Sequence, residues 1–159
     1  MHRPDPALTR RLAELGIDVT QLAPRYRSAQ WAQAIVLFRE AMFPTLPPAE
    51  ADRKLGYAFA SSFTQTLSGA LLAATLPLFS PAHLLQRWPR FVRMGRTDVT
   101  ITVTETGPKS FTIHSVDPAG VSAAFNLGLF DFIFERMKVP VTLLIEREGG
   151  GEALVRCSW

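Results

Sequence analysis

The pattern of apolar residues changes period near Thr97, and that switch limits the fold more than any other feature of the chain. Before it, apolar side chains recur at helical spacing. After it, Val99, Ile101 and Val103 alternate with Thr100, Thr102 and Thr104, which predicts a strand with one buried face and one polar face. A chain whose helices come first and whose strands follow in hairpins predicts an α+β fold with an antiparallel sheet. The 159 residues suit a single domain over 1–159, with a helical N-terminal extension at 1–46 and an α+β core at 47–159. With 47% hydrophobic residues and 19% charged, the chain can bury a core, which excludes a disordered tail or a coiled coil.

Asp5-Pro6 ahead of Leu8, Leu12 and Leu15, with Gly16 beyond, predicts a short first helix capped by Asp5. Ser28 is the expected cap of a second helix carrying Trp31, Ile35, Phe38 and Met42 and stopped by Pro44. One long helix is expected over residues 49–76, with Leu55, Phe59, Phe63, Thr66 and Ala70 as its stripe. Gly56 and Gly69 lie inside it, each costing about 1 kcal/mol against Ala, which the close approach of another backbone would offset. Ser80-Pro81 opens a further helix expected to end before Pro89.

A turn at Gly107-Pro108-Lys109 leads to a second strand with Phe111 and Ile113 inward. A helix over residues 119–138 and a hairpin, strands 139–148 and 152–159 joined by Gly149-Gly150-Gly151, complete a ββαββ unit with four strands. The helix between the hairpins has Val121, Phe125, Leu129 and Phe132 on one face and Leu127, Phe130, Phe134 and Met137 on the other. Such a helix is buried on two sides. The sheet covers one, and the second calls for either the long helix or another subunit, so a homodimer is expected.

Little in the sequence points to catalysis. His2, His83 and His114 are far apart, and no HxxxH or CxxC spacing offers a metal site. Asp131 and Glu135, four residues apart, read as a solvated helix face. The single cysteine, Cys157, alternates with Val155 and Trp159 and reads as an inert buried thiol. It excludes an internal disulfide and suits the reducing cytoplasm. The segment MHRPDPALTRR has no apolar stretch of a signal peptide, and no apolar run reaches the roughly 18 residues of a membrane span.

Charge is uneven. Residues 1–96 carry twelve Lys/Arg and six Asp/Glu; residues 97–159 carry five and eight. Much of the basic excess lies in RWPRFVRMGR, where Arg87, Arg90, Arg93 and Arg96 recur at every third position with no acid between. Such a run reads as a solvated turn facing water, or as a patch that attracts phosphates, an acidic protein partner or a membrane surface. It reads equally as a tether of the helical half to the sheet, with Arg90 or Arg93 the expected tether. Nucleic acid would demand a groove-reading element or interleaved aromatic platforms, and none is visible.

Several segments carry a family likeness. Leu55-Gly56, Phe59, Phe63, Thr66, Gly69 and Ala70-Leu71-Leu72 are followed by Leu84-Leu85, Arg87, Pro89-Arg90, Phe91, Arg93 and Gly95. Then come Glu105-Thr106-Gly107-Pro108, Gly128 and Ser158-Trp159. Over its last two-thirds the chain resembles a paralogous family of unknown function expanded in myxobacteria, with Arg96-Thr97-Asp98 standing where that family has an Asn-rich stretch. More distantly, the element order and the helix FNLGLFDFIFER are similar to the ligand-binding superfamily of haem–nitric-oxide sensors, vinyl-4-reductase-type domains and TRAPP vesicle-tethering subunits. That likeness implies a small-molecule or acyl-chain cavity, a sensing role or a dimerising scaffold. No cofactor is expected, because no His matches a helix-borne axial ligand and the cysteines of the vinyl-4-reductase-type domains are missing.

Three readings follow. The first is a non-enzymatic sensory or regulatory module binding an apolar or acyl-like ligand between helices and sheet, with Phe59, Phe63, Phe125, Leu129 and Phe132 as candidate cavity walls. The second is a protein–protein scaffold without a small ligand, and the third an enzyme of unrecognised type.

Overall fold

The structure is a computed structural model that describes residues 5–21, 23 and 26–159. His2 therefore lies outside the described residues. Helix α1 (Pro6–Glu14) begins as its sequence predicts: Ala7 N donates to Asp5 Oδ1 at 2.9 Å, and Pro6 stands in the first turn, where its missing N–H costs nothing. Leu8 and Leu12 pack against Ala34 and Leu37 of α2 (Ser28–Met42). Ser28 is not the cap expected of it. Arg27 occupies that position, and Gln30 does the work of joining: its Oε1 accepts from Arg27 N at 3.0 Å while its Nε2 donates to Leu15 O at 2.7 Å.

The expected long helix over residues 49–76 is two helices, α3 (Pro48–Phe63) and α4 (Leu67–Thr75), the second continued by a 3₁₀ turn over Leu76–Leu78. Thr66 makes the break. Its hydroxyl donates to Phe63 O at 2.7 Å and accepts from Gly69 N at 3.1 Å, capping α4 and offering the backbone an alternative to continuing α3. Gly69 earns its place in this turn, since a Cβ there would sit 1.9 Å from Phe63 O. The close approach expected at this glycine is thus to the preceding turn of its own chain.

Ser80 caps α5 (Pro81–Gly95), with His83 N donating to Ser80 Oγ at 3.2 Å. The helix does not end before Pro89 but runs through it. Proline removes one i→i−4 hydrogen bond, a cost of about 3 kcal/mol in a helix interior, and Leu84, Leu85 and Trp88 offset it by packing into the core.

Strands β1 (Thr100–Gly107) and β2 (Ser110–Val116) form the first hairpin, and β3 (Thr142–Gly149) and β4 (Glu152–Ser158) the second. The four-stranded sheet has the order β1-β2-β4-β3 and is antiparallel throughout, with Ile113 of β2 opposite Val103 of β1 and Val155 of β4. Between the hairpins runs α6 (Ala123–Met137), which starts later than expected because residues 117–120 form a turn. Ser122 Oγ accepts from Ala124 N, and Glu148 Oε1 reaches over from β3 to accept from Ala123 N at 2.7 Å.

The fold is α+β, with N-terminal helices followed by a ββαββ unit. The main core lies between α6, α5 and the inner face of the sheet, built from Phe111, Ile113, Leu127, Phe130, Phe134, Val155 and Cys157. The other face of α6 is covered by α3 of the same chain. A Cβ on Gly56 would lie 2.0 Å from Phe125 O, and one on Gly128 would lie 1.9 Å from Arg53 O. Two glycines, one on each helix, bring the backbones into contact. The second-side burial of α6, which led the sequence argument to a homodimer, is thus satisfied within one chain, and that ground for a dimer is removed. Among the described residues no helix is long and apolar enough to cross a membrane.

Candidate functional site

Three places gather the residues singled out by sequence. The first is the junction of α2, α3 and α6. Here the Trp31 and Phe59 rings meet edge to face at 5.3 Å, and Phe59 lies 5.9 Å from Phe125. Ile35, Leu55 and Phe125 are buried there, with Leu129 half-buried beside them. Phe132 is buried farther along α6 against Tyr57, and Phe63 stands exposed at the end of α3. The five candidate wall residues therefore divide among three settings, and Phe125 and Phe132 serve chiefly to seat α3 on α6.

The second place is the outer surface of α3 and α6. Arg53 donates to both carboxylate oxygens of Asp131, at 2.5 and 2.7 Å, and Tyr57 Oη donates to Glu135 at 2.8 Å. The hydrogen bond to Glu135 raises the Tyr57 pKa above its ordinary value. Asp131 and Glu135, expected to be a free solvated face, instead clamp α6 to α3. An open hollow of about 270 Å³ lies over this clamp, lined by Glu50, Arg53, Lys54, Tyr57 and Asp131. Its charges are matched within the site, Lys54 lying 3.4 Å from Glu50.

The third place is α5. Arg87, Arg90 and Arg93 are exposed along it, and none forms an ion pair among the described residues. The Arg87 guanidinium lies 6.0 Å from the Phe79 ring centre. Arg96, just past the end of α5, is the tether expected at Arg90 or Arg93. Its Nη1 and Nη2 donate to the two oxygens of Asp117 at 2.6 and 2.8 Å, and Nη2 also reaches Asp98 at 3.0 Å. Burial opposes the Arg96 charge, yet the hydrogen bonds to Asp117 and Asp98 outweigh it and its pKa is raised. Asp117 is buried, accepts from Ala119 N at 2.9 Å, and donates its own N–H to Gly151 O at 2.7 Å. It joins the end of α5, the end of β2 and the β3–β4 turn. Asp117 escaped the sequence reading; the one local signal for it was the Asp-Pro pair after a strand, which favours a turn.

Between α5, α6 and the sheet the core leaves a gap of about 20 Å³, lined by Trp88, Ile101, Ile113, Ala123, Leu127, Phe130 and Val155, with Ser115 and Asn126 as its polar groups. The Trp88 and Phe130 rings approach to 4.6 Å across it. Cys157 is fully buried, and that burial pushes its thiol up to about 12, as fits an inert core residue. Among the described residues no three of His, Cys, Asp and Glu gather as a metal site.

Comparison with known proteins gives this architecture a context. A family model described as a protein of unknown function (DUF2378) matches residues 2–159. The chain belongs to this family. No curated protein matches the sequence. Among solved structures, the Fe(II) unliganded H-NOX protein from K. algicida is similar, with 17% identity, 96% of this chain and 86% of that chain covered, and a TM-score of 0.65. The H-NOX protein from S. oneidensis in its Fe(II)NO ligation state is similar at 8% identity, covering 96% and 88%, with a TM-score of 0.66. A third structure, from work on heme distortion in the H-NOX family, is similar at 14% identity, covering 96% and 84%, with a TM-score of 0.61. At these identities the likeness establishes the fold.

That likeness raises haem, and the described residues do not fit it. A gap of about 20 Å³ in the helix–sheet interior compares with the roughly 300–1,000 Å³ of cofactor-sized pockets. Of the described histidines, His83 is exposed on α5 with its ring 5.6 Å from Phe79. His114 lies on β2 with the parity opposite to Phe111 and Ile113, facing away from the core, its Nε2 3.7 Å from Glu152. Neither points into the interior.

Proposed function

We propose that this chain is a non-enzymatic sensory or regulatory module whose ligand is an apolar or acyl-like small molecule admitted to the seam between α5, α6 and the sheet. The observation that carries the reading is the lining of that seam. Seven apolar side chains surround a small gap with only Ser115 and Asn126 to orient a guest, the composition of a binding pocket for apolar ligands. The H-NOX-like fold supports a ligand-binding reading, since one similar solved structure is an H-NOX protein in its Fe(II)NO ligation state. At its present size the gap requires α5 to move outward before anything larger than a water-sized guest enters. The Arg96–Asp117 pair anchors the C-terminal end of α5, and Pro89, with no N–H to give, is where the helix is most easily bent.

The test is native mass spectrometry of the purified protein, followed by solvent extraction and titration with long-chain acyl probes read by tryptophan fluorescence, Trp88 lying in the seam. A co-purifying apolar molecule, or saturable quenching by an acyl probe, is the expected result. A bare mass together with no saturable probe binding sinks the ligand reading. One observation favours a second reading, a docking module without small ligand that meets an acidic partner or a second copy: the interior is already packed to a gap of about 20 Å³.

A further inference from the structure

Helix α4 is built inside out. Its buried positions are small, Gly69 and Ala73, with Leu76 of the following turn, whereas its large side chains face solvent: Leu67 is 81% exposed, Leu71 65% and Leu78 82%. Positions 67, 71 and 74 fall on one side of α4, and Leu78 stands exposed in the 3₁₀ turn that follows, so the outward side is an apolar ridge. Phe59 and Phe63, near the end of α3, are exposed as well, at 45% and 43%. A folded chain rarely leaves so contiguous an apolar surface bare unless something binds it.

The charge around this ridge identifies the occupant. From residue 53 to residue 97 there is no Asp or Glu, while Arg53, Lys54, Arg87, Arg90, Arg93 and Arg96 lie within the stretch. Arg53, Lys54 and Arg96 are matched by carboxylates elsewhere in the chain. Arg87, Arg90 and Arg93 are the exposed cations left over, and Met94, 77% exposed, stands among them. The ridge and the cations meet at Phe79, which follows Leu78 directly and lies under the Arg87 guanidinium.

We propose that this face docks on an anionic lipid bilayer surface, with Leu67, Leu71 and Leu78 entering the interface and Arg87, Arg90 and Arg93 held at the headgroups. An amphipathic surface of this kind, apolar on one side and rich in Arg at its border, lies in the plane of the interface and does not span it. The exposed end of α3, the turn and α4 carry only uncharged polar groups, Ser62, Gln65, Thr66 and Thr75, which a headgroup region accepts. A second copy fits the same face poorly, because joining two such faces brings six unpaired arginines together. The proposal is independent of the seam ligand and uses other residues.

Co-sedimentation with vesicles tests it, using phosphatidylcholine alone and phosphatidylcholine mixed with phosphatidylglycerol. Wild-type protein is expected on the anionic vesicles and not on the neutral ones, and added salt is expected to release it. Each Arg→Ala change at 87, 90 or 93 is expected to weaken binding about fivefold, the ratio that roughly 1 kcal/mol per basic side chain near an anionic surface implies. Leu71→Glu and Leu67→Glu, both at exposed positions, are expected to abolish binding while leaving thermal unfolding unchanged. No anionic preference, or binding that both Glu variants retain, overturns the proposal. So does a wild-type dimer that Leu71→Glu dissociates and that ignores vesicles, since the second copy is then the occupant. Binding to an acidic protein with no binding to anionic vesicles overturns it as well.

Discussion

Arg96 and its three neighbours in the basic run share a residue type and a spacing but not a task. Arg96 gives two hydrogen bonds to buried Asp117 and a third to Asp98, whereas Arg90 and Arg93 face solvent. Lysine cannot reproduce the two-pronged contact. Arg96→Lys is therefore expected to lose about 1.5–3 kcal/mol in urea unfolding, the range for hydrogen bonds to charged groups, while Arg90→Lys and Arg93→Lys leave the midpoint unmoved. An unshifted Arg96→Lys midpoint would show that the tether does not hold α5 to the sheet. Cys157 makes a second residue-scale case. Its thiol is pushed up to about 12 by burial against an ordinary value of 9.0, so between those values the unfolded chain gives up its proton and the folded chain keeps it. Stability from this group is complete below pH 9.0 and declines as pH rises toward about 12. Cys157→Ala should flatten that part of the stability–pH curve. In the folded wild type, the thiol should stay unreactive toward a disulfide reagent at mildly alkaline pH until denaturant is added; immediate reaction would place it at the surface.

At the scale of elements, the crossing of α3 over α6 depends on two hydrogens. Gly56 and Gly128 face each other's backbones at distances no Cβ tolerates. Gly128→Ala gains up to about 1 kcal/mol in helix propensity but must push the helices apart, and overpacking of that kind costs about 1–3 kcal/mol. A net fall in melting temperature is expected, together with weaker Arg53–Asp131 and Tyr57–Glu135 contacts, readable as loss of protection in hydrogen exchange on α3. A rise in melting temperature would mean that the helices have room to spare. Gly56 announced this crossing in the sequence because a helix-interior glycine needs a reason. The caps at Asp5 and Ser80, the two hairpins and the period switch near Thr97 were equally local. What escaped were relations between distant residues: Arg53 with Asp131 and Arg96 with Asp117 have no signature in spacing. Two local rules also lost to packing or to competing local bonds. Pro89 ought to stop α5, yet its apolar face holds the helix together, and Thr66 breaks what looked like one helix through hydrogen bonds that the apolar stripe does not reveal. The candidate site was less legible than the fold. Phe59, Phe63, Phe125, Leu129 and Phe132 all looked like cavity wall, but an aromatic stripe reads the same whether it faces a ligand or a neighbouring helix.

Across the whole molecule, the same arrangement of helices and sheet found in solved H-NOX proteins is kept with its centre filled by side chains. Trp88 from α5 and Phe130 from α6 meet at 4.6 Å, Phe134 is fully buried beneath them, and Phe111 stacks on Trp159 at 5.6 Å. To admit a porphyrin, several of these rings would have to leave the core, and truncating one buried Phe alone costs about 3–5 kcal/mol, a large part of an ordinary domain's 5–15 kcal/mol. Binding would also need an axial ligand, and the described histidines face solvent or the outer side of the sheet. Titration with haem is accordingly expected to give neither one-to-one binding nor the sharp absorption band of histidine-ligated iron, and no rise in melting temperature, since a ligand stabilises a fold only by binding it. The comparison that decides the point is His83→Ala together with His114→Ala. If wild type does take up haem with a histidine-ligated spectrum and either variant loses it, then the interior opens far more readily than its packing indicates, and the seam between α5 and α6 becomes a haem pocket after all.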